Sequence, residues 1–128
     1  GDGVLNDAYI AAAGKAAAEG TKFTAPAVPF EVAASADQQA AFTKATGLKS
    51  AAGHVYVTET FNATNVFLSC ISKGVSTRDA MLKCVKAYKG KSISGSNLSF
   101  DKYGDNAGGV MNGFEIKGGA IKFTGAIK

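Results

Sequence analysis

A mixed α/β architecture, with helices packed on a small sheet that ends in a C-terminal β-hairpin, is what this sequence predicts, and three observations predict it. An Ala-rich periodic segment, "DAYIAAAGKAAAEG", opens the chain; two capping-box spacings, "SADQ" and "STRD", start later helices; and "VMNGFEIKGGAIKFTG" alternates apolar and polar residues about the pair Gly118 and Gly119. A period near 3.6 marks an amphipathic helix and a period of 2 marks a strand with one buried face, so the change of period along the chain locates the change of element. No internal repeat or low-complexity stretch interrupts this order. With 128 residues, 46% of them hydrophobic, the chain is the size of one domain and can bury a core.

The first helix begins after Asn6, whose side chain suits an N-cap, and runs to Gly20 as C-cap. Its small Ala and Gly side chains fit close packing on a sheet. "TKFTAPAVPF" then alternates before two prolines, which reads as a strand of about four residues running into an extended crossing. Ser35 to Gln38 has the capping-box spacing for a short helix that stops at Gly47. From about Val55 a longer helix continues to Gly74, with Phe61, Asn65, Leu68 and Ser72 on one face and Phe67, Cys70 and Ile71 widening its apolar side. Ser76 to Asp79 starts the next helix as a second capping box. There Met81, Cys84, Val85 and Tyr88 form the apolar stripe, and Lys83, Lys86 and Lys89 take the wet side. After Gly90 the sequence turns Gly-rich and strand-like through "ISGSNLSF" and the turn "DKYGDN". The Gly118–Gly119 pair then signals a two-residue hairpin, because such turns need positive φ.

Charge and composition exclude several functions. Residues 1–64 hold four Lys against six acids and residues 65–128 hold ten basic residues against four acids, yet Arg78 is the only Arg and Trp is absent. Nucleic-acid readers lean on Arg forks and aromatic stacking, so the Lys-rich half reads as a solvated surface and no nucleic-acid partner is expected. No apolar run reaches the roughly twenty residues of a spanning helix, so direct membrane insertion is not expected. The single histidine, His54, has no Ser, Cys or Asp at a recognised spacing, and no cofactor motif is present; the chain is not expected to be an enzyme or to carry a cofactor. "GDG" lacks the later glycine of a dinucleotide fingerprint, and Asp101 and Asp105 lack the alternating oxygen ligands of a calcium loop and read as turn-closing acids. Asn62 and Asn97 head glycosylation triplets of a kind that chance also produces. Cys70 and Cys84 fit a single bridge or two buried thiols, and with no second pair or nearby histidine they are not a metal site. Asp2, just before the first helix, stands where open α/β sheets place ligand contacts, and its carboxylate is suited to an ammonium group. The plainer reading is a solvated loop acid.

In order along the chain, "GDGVLNDAYIAAAGKAAAEGTKFTAPAVP", "VYVTETFNATNVFLSCI", "STRDAMLKCV" and "GSNLSFDKYGDNAGG...FEIKGGAIKF" resemble the C-terminal third of type I periplasmic solute-binding proteins, in the branch serving branched-chain amino acid ABC importers. The resemblance implies two doubly wound lobes, joined by three crossing segments, that close on a small ligand. It assigns residues 1–25 to the second lobe, 26–92 to the first, and 93–128 to a crossing and a second-lobe hairpin, with "FTAPAVP" and the stretch around "ISGSNLSF" as two crossings. Gly1 to Gly3 would then end a second-lobe strand whose upstream residues lie outside these 128. The fold so implied is partial and completed by association.

The resemblance also implies a ligand site. In amino-acid-binding members an acid at the position of Asp2 accepts the ligand's α-ammonium; Phe61, where the family often has Tyr in "YDA", is a candidate cleft wall or a core residue; Glu59 is a weaker candidate. Asn62 replaces the acid of that motif. An exported family implies a periplasmic location, an oxidising compartment and with it a Cys70–Cys84 bridge. The implied partners are a small-molecule ligand, an amino acid above all, and an ABC transporter permease. Little affinity is expected of the chain alone. The alternative is a trimmed relative that self-associates as a structural or interaction module.

Overall fold

The computed structural model describes residues 2–51 and 54–127. Asp2–Val4 form a single 3-10 turn, not the strand end implied by the resemblance, and the N–H of Asn6 donates to the Val4 carbonyl at 2.9 Å to close it. Asn6 then caps α1 (Asp7–Ala13), its side chain accepting from the N–H of Tyr9 at 3.2 Å. The Ala-rich helix is broken at Gly14, where φ is 81°, and resumes as α2 (Lys15–Ala18). Only glycine adopts that backbone without a Cβ clash. The break keeps Ala18 fully buried in the sheet core and brings Glu19 to the far end of the chain.

β1 (Lys22–Ala25) pairs antiparallel with β4 (Asn112–Lys117), and β4 with β5 (Ala120–Ala126), giving a sheet ordered β1-β4-β5. Alternation in β1 buries Phe23 and Ala25 and exposes Lys22 and Thr24, as a half-buried strand requires. Gly118 and Gly119 make the hairpin turn with φ of 65° and 71°, the double positive φ of a type I′ turn. Their N–H groups donate to the two carboxylate oxygens of Glu19 at 2.8 and 3.1 Å, and these two bonds hold the Glu19 carboxyl below its ordinary pKa. Leu5, Ile10, Phe23, Phe114 and Ile116 form the core against this sheet.

Past the sheet come α3 (Phe30–Ala33) and α4 (Ala36–Thr46). Both bonds of the Ser35–Gln38 capping box are present, and Gly47 ends α4 in the left-handed conformation. α5 (Val57–Ile71) and α6 (Arg78–Lys86) form a helical pair. β2 (Lys89–Lys91) and β3 (Asn97–Ser99) form a separate two-stranded ladder, so "ISGSNLSF" is a tight turn and strand rather than a plain extended crossing. A second, smaller core of Phe30, Ala34 and Ala51 gathers Phe42, Val57 and Ile93 around it. The two cores meet where residues 26–29 leave the sheet.

Two helix details depart from expectation. α6 is capped by Thr77, whose hydroxyl accepts from the Ala80 N–H at 3.3 Å, one residue beyond the Ser76 cap expected; both spacings place a hydroxyl before the same apolar stripe. α5 buries Thr58, Val66 and Cys70, a stripe of four-residue steps, and leaves Phe61, Phe67, Leu68 and Ile71 exposed. The apolar face expected to be buried is thus largely on the outside. Asn62 and Glu59 turn inward, and their polar tasks set the rotation of the helix.

A disulfide joins Cys70 to Cys84 with Cα atoms 6.0 Å apart, tying α6 to α5. No described residue of α6 is fully buried, so this covalent tie carries much of its docking. A closed loop of this size constrains the unfolded chain by about 3 kcal/mol. The double variant Cys70→Ala, Cys84→Ser is expected to lose about that much stability in urea denaturation; an unchanged midpoint would show that α6 docks without the bridge.

Candidate functional site

The first two turns of α5 carry the polar groups that organise the boundary between the two cores. Val28, in the segment leaving the sheet, donates its N–H to Oε1 of Glu59 at 2.9 Å, 31 residues away. Ile93, at the turn between β2 and β3, donates its N–H to Oδ1 of Asn62 at 2.8 Å, again 31 residues away. Glu59 and Asn62 are three positions apart and so lie on one helix face. Each supplies the acceptor that a part-buried backbone N–H outside any ladder requires. Asn112 completes the arrangement from β4: it is buried, and its Nδ2 donates to the carbonyls of Ala27 at 3.0 Å and Val110 at 3.3 Å. Three side chains therefore hold the segments at 27–28, 93 and 110 to one another.

Electrostatics at this clasp are uneven. Burial raises the Glu59 pKa above its ordinary 4.5, and the N–H of Val28 opposes that rise only in part. Among the described residues, Oε2 of Glu59 and the hydroxyl of Thr58 are buried without a hydrogen-bond partner. Thr58 itself is only 4% exposed. The carboxyl is thus held in one place while half of its hydrogen-bonding capacity goes unused.

Of the residues singled out from sequence, Glu59 lies in this clasp and bonds main chain. Phe61, two residues on, is 41% exposed on the outer side of α5. Asp2 belongs to the opening 3-10 turn, and its side chain lies outside the described residues. Sequence reasoning missed Asn62 and Asn112 as organising residues. The available signal was chemical: Asn competes poorly for a helix interior, and when buried it needs partners.

Close to the clasp, a cavity of about 280 Å³ opens between the 28–32 segment, the entry to α5 and the β4–β5 hairpin. Tyr56 in its wall has φ of 72°, the one described non-glycine residue with positive φ. Among the described residues no group of three or more His, Cys, Asp or Glu could hold a metal ion.

No protein-family model and no curated protein sequence matches the chain. Solved structures do. The leucine-binding protein LivK from Thermotoga maritima superposes on 99% of this chain with a TM-score of 0.74 and 20% identity. A solute-binding protein of an ABC transporter from R. palustris, solved with benzoate, covers 91% of it with a TM-score of 0.61 and 17% identity. The chain spans 36% and 32% of those two proteins. Its fold is therefore that of a portion of a type I periplasmic solute-binding protein, with helices and a small sheet in the same arrangement.

Two outcomes test the clasp. Asn62→Ala leaves the Ile93 N–H without an acceptor and is expected to cost about 1–3 kcal/mol in chemical denaturation; a change within about 0.5 kcal/mol of zero, the spread of ordinary surface substitutions, would remove Asn62 from the account. For Glu59 the folded pKa lies above the unfolded one, so the folded state binds more protons and stability falls as pH rises from 4.5 through the folded value. Glu59→Gln keeps an acceptor for Val28 without a buried charge. It is expected to flatten this pH dependence and to be at least as stable as the parent at pH 7.

Proposed function

We propose that these 128 residues are a C-terminal portion of the solute-capturing component of an ABC importer for amino acids or similar small polar solutes. The observation that carries this reading is the combination of fold likeness and construction: two small cores on either side of three segments that side chains of α5 and β4 pin together. Such a boundary is what a two-lobed trap needs, since few polar bonds and little apolar contact must change when lobes rotate. In this reading the protein works in the periplasm, closes on its solute and presents the closed form to a permease, and no reaction is involved. Asp2 would accept the solute's ammonium group and Phe61 would supply an apolar wall. Glu59 serves the hinge. Leucine and benzoate, the solutes named for the two structural neighbours, set the size of ligand to try first.

Because the chain spans about a third of those neighbours, it is expected to bind weakly alone. Calorimetry with leucine, valine, glutamate and benzoate is expected to show no binding at millimolar concentration for the 128 residues, and binding for the complete reading frame that contains them. Millimolar or tighter binding by the isolated chain, or a complete protein inert to amino acids and small carboxylates, would contradict the proposal.

One observation favours a second reading, the self-associating module. Phe67, Leu68 and Ile71 of α5 are exposed, as is Leu82 of the disulfide-linked α6. Phe67, Leu68 and Ile71 lie three and four positions apart and so share one helix face, and an exposed apolar face is what an interaction surface would use. Light scattering after gel filtration separates the two: a stable oligomer that unfolds cooperatively supports the module, and a monomer supports the receptor portion.

A further inference from the structure

Among the described residues, neither core contains a residue of α6, and the helix has α5 as its main packing partner. Met81, Cys84 and Val85 are partly buried, while Leu82, Lys83 and Lys86 are exposed, so little apolar contact holds it in place. The bridge to Cys70 therefore decides where α6 sits.

The chain leaving α6 returns to α5 at a second point. Through β2 it reaches Ile93, whose N–H donates to Oδ1 of Asn62, about two helical turns before Cys70. A ring is thus closed: two turns of α5, the disulfide, residues 84–93, and the hydrogen bond back to α5. With the bridge intact, the tether that brings Ile93 back to α5 spans nine residues, from 84 to 93; without it the tether spans 23, from 70 to 93. The probability of closing a flexible loop falls as roughly the three-halves power of its length, so loss of the bridge weakens this closure by about fourfold.

The two sulfurs are unequally placed. Cys70 is fully buried, whereas Cys84 is only partly so. An incoming thiolate therefore meets Sγ of Cys84, and Cys70 is the leaving group.

We propose that the Cys70–Cys84 bridge is a redox-sensitive brace on the clasp: reduction by a dithiol frees α6 and loosens the Ile93–Asn62 bond while the sheet core stays folded. One thiolate of the dithiol attacks Sγ of Cys84, the S–S bond breaks, and Cys70 departs as a thiolate that takes up a proton. The second thiol of the reductant then displaces Cys84 from the mixed disulfide, leaving two protein thiols and one oxidised dithiol. The brace involves neither Asp2 nor Phe61 nor any bound solute, so it stands or falls separately from the solute-capturing role.

Dithiothreitol under native conditions, followed by NMR, is the test. The reduced 128-residue chain is expected to show random-coil amide shifts for Leu82 and Val85 and native shifts for Phe114 and Ile116. Its Ile93 amide is expected to exchange faster by about fourfold or more, and reoxidation is expected to restore the parent spectrum. Glutathione, used as a single-thiol probe and located by mass spectrometry, is expected on Cys84. Cys84→Ser is expected to reproduce the reduced spectrum and to be indifferent to dithiothreitol. Native α6 shifts with unchanged Ile93 exchange after full reduction, collapse of Phe114 and Ile116 together with α6, or glutathione on Cys70 would overturn the proposal.

Discussion

Two backbone N–H groups, those of Val28 and Ile93, have no strand or helix partner, and the rest of the structure is arranged so that α5 can receive them. A part-buried donor without an acceptor costs about 1–3 kcal/mol, enough to matter in a chain of this length. Glu59 and Asn62 meet that demand from one face of one helix. In doing so they fix the rotation of α5 about its axis, and that rotation decides which residues face outward. Phe61, Phe67, Leu68 and Ile71 are exposed because the inward stripe is occupied by Thr58, Asn62, Val66 and Cys70.

This explains why parts of the molecule were legible in the sequence and parts were not. Local signals were sufficient where local chemistry decides the structure: the Ser35–Gln38 box, the Gly47 stop, the four-residue strand before the prolines and the Gly118–Gly119 turn all form as their residue types require. They were insufficient where a distant partner decides. The Ala-rich helix breaks at Gly14 so that Glu19 can hold a hairpin 99 residues away, and no local propensity encodes that bond. Likewise the hydrophobic pattern of α5 points to a face that packing does not use, because hydrogen bonds 31 residues long override it. Of the candidate site, Glu59 was picked out as a weaker ligand contact, and the structure shows one of its oxygens accepting from the Val28 N–H, a bond no local pattern encodes. Its partner Asn62 read as the loss of an acid when it is a clasp of a different kind.

The helical pair shows a third way of holding an element. α6 contributes Met81 and Val85 only partly buried, so its apolar stripe alone is a weak anchor, and the Cys70–Cys84 bridge fixes it to Cys70, a fully buried residue in the last turn of α5. Polar bonds hold one end of α5 to the segments at Val28 and Ile93, and sulfur holds the other end to α6. The helix is the common member of both connections. Within the proposed receptor, that makes α5 the element through which movement at the boundary reaches the outer surface.

The central claim is that two small cores are joined by a polar clasp and are therefore separable in energy. Native-state hydrogen exchange in rising denaturant tests it most directly. The account predicts two opening isotherms, one for amides of Phe114 and Ile116 in the sheet core and another for Ala34 and Phe42 in the second core, with Val28 and Ile93 following the weaker of the two. Convergence of all six amides on a single global isotherm would contradict it.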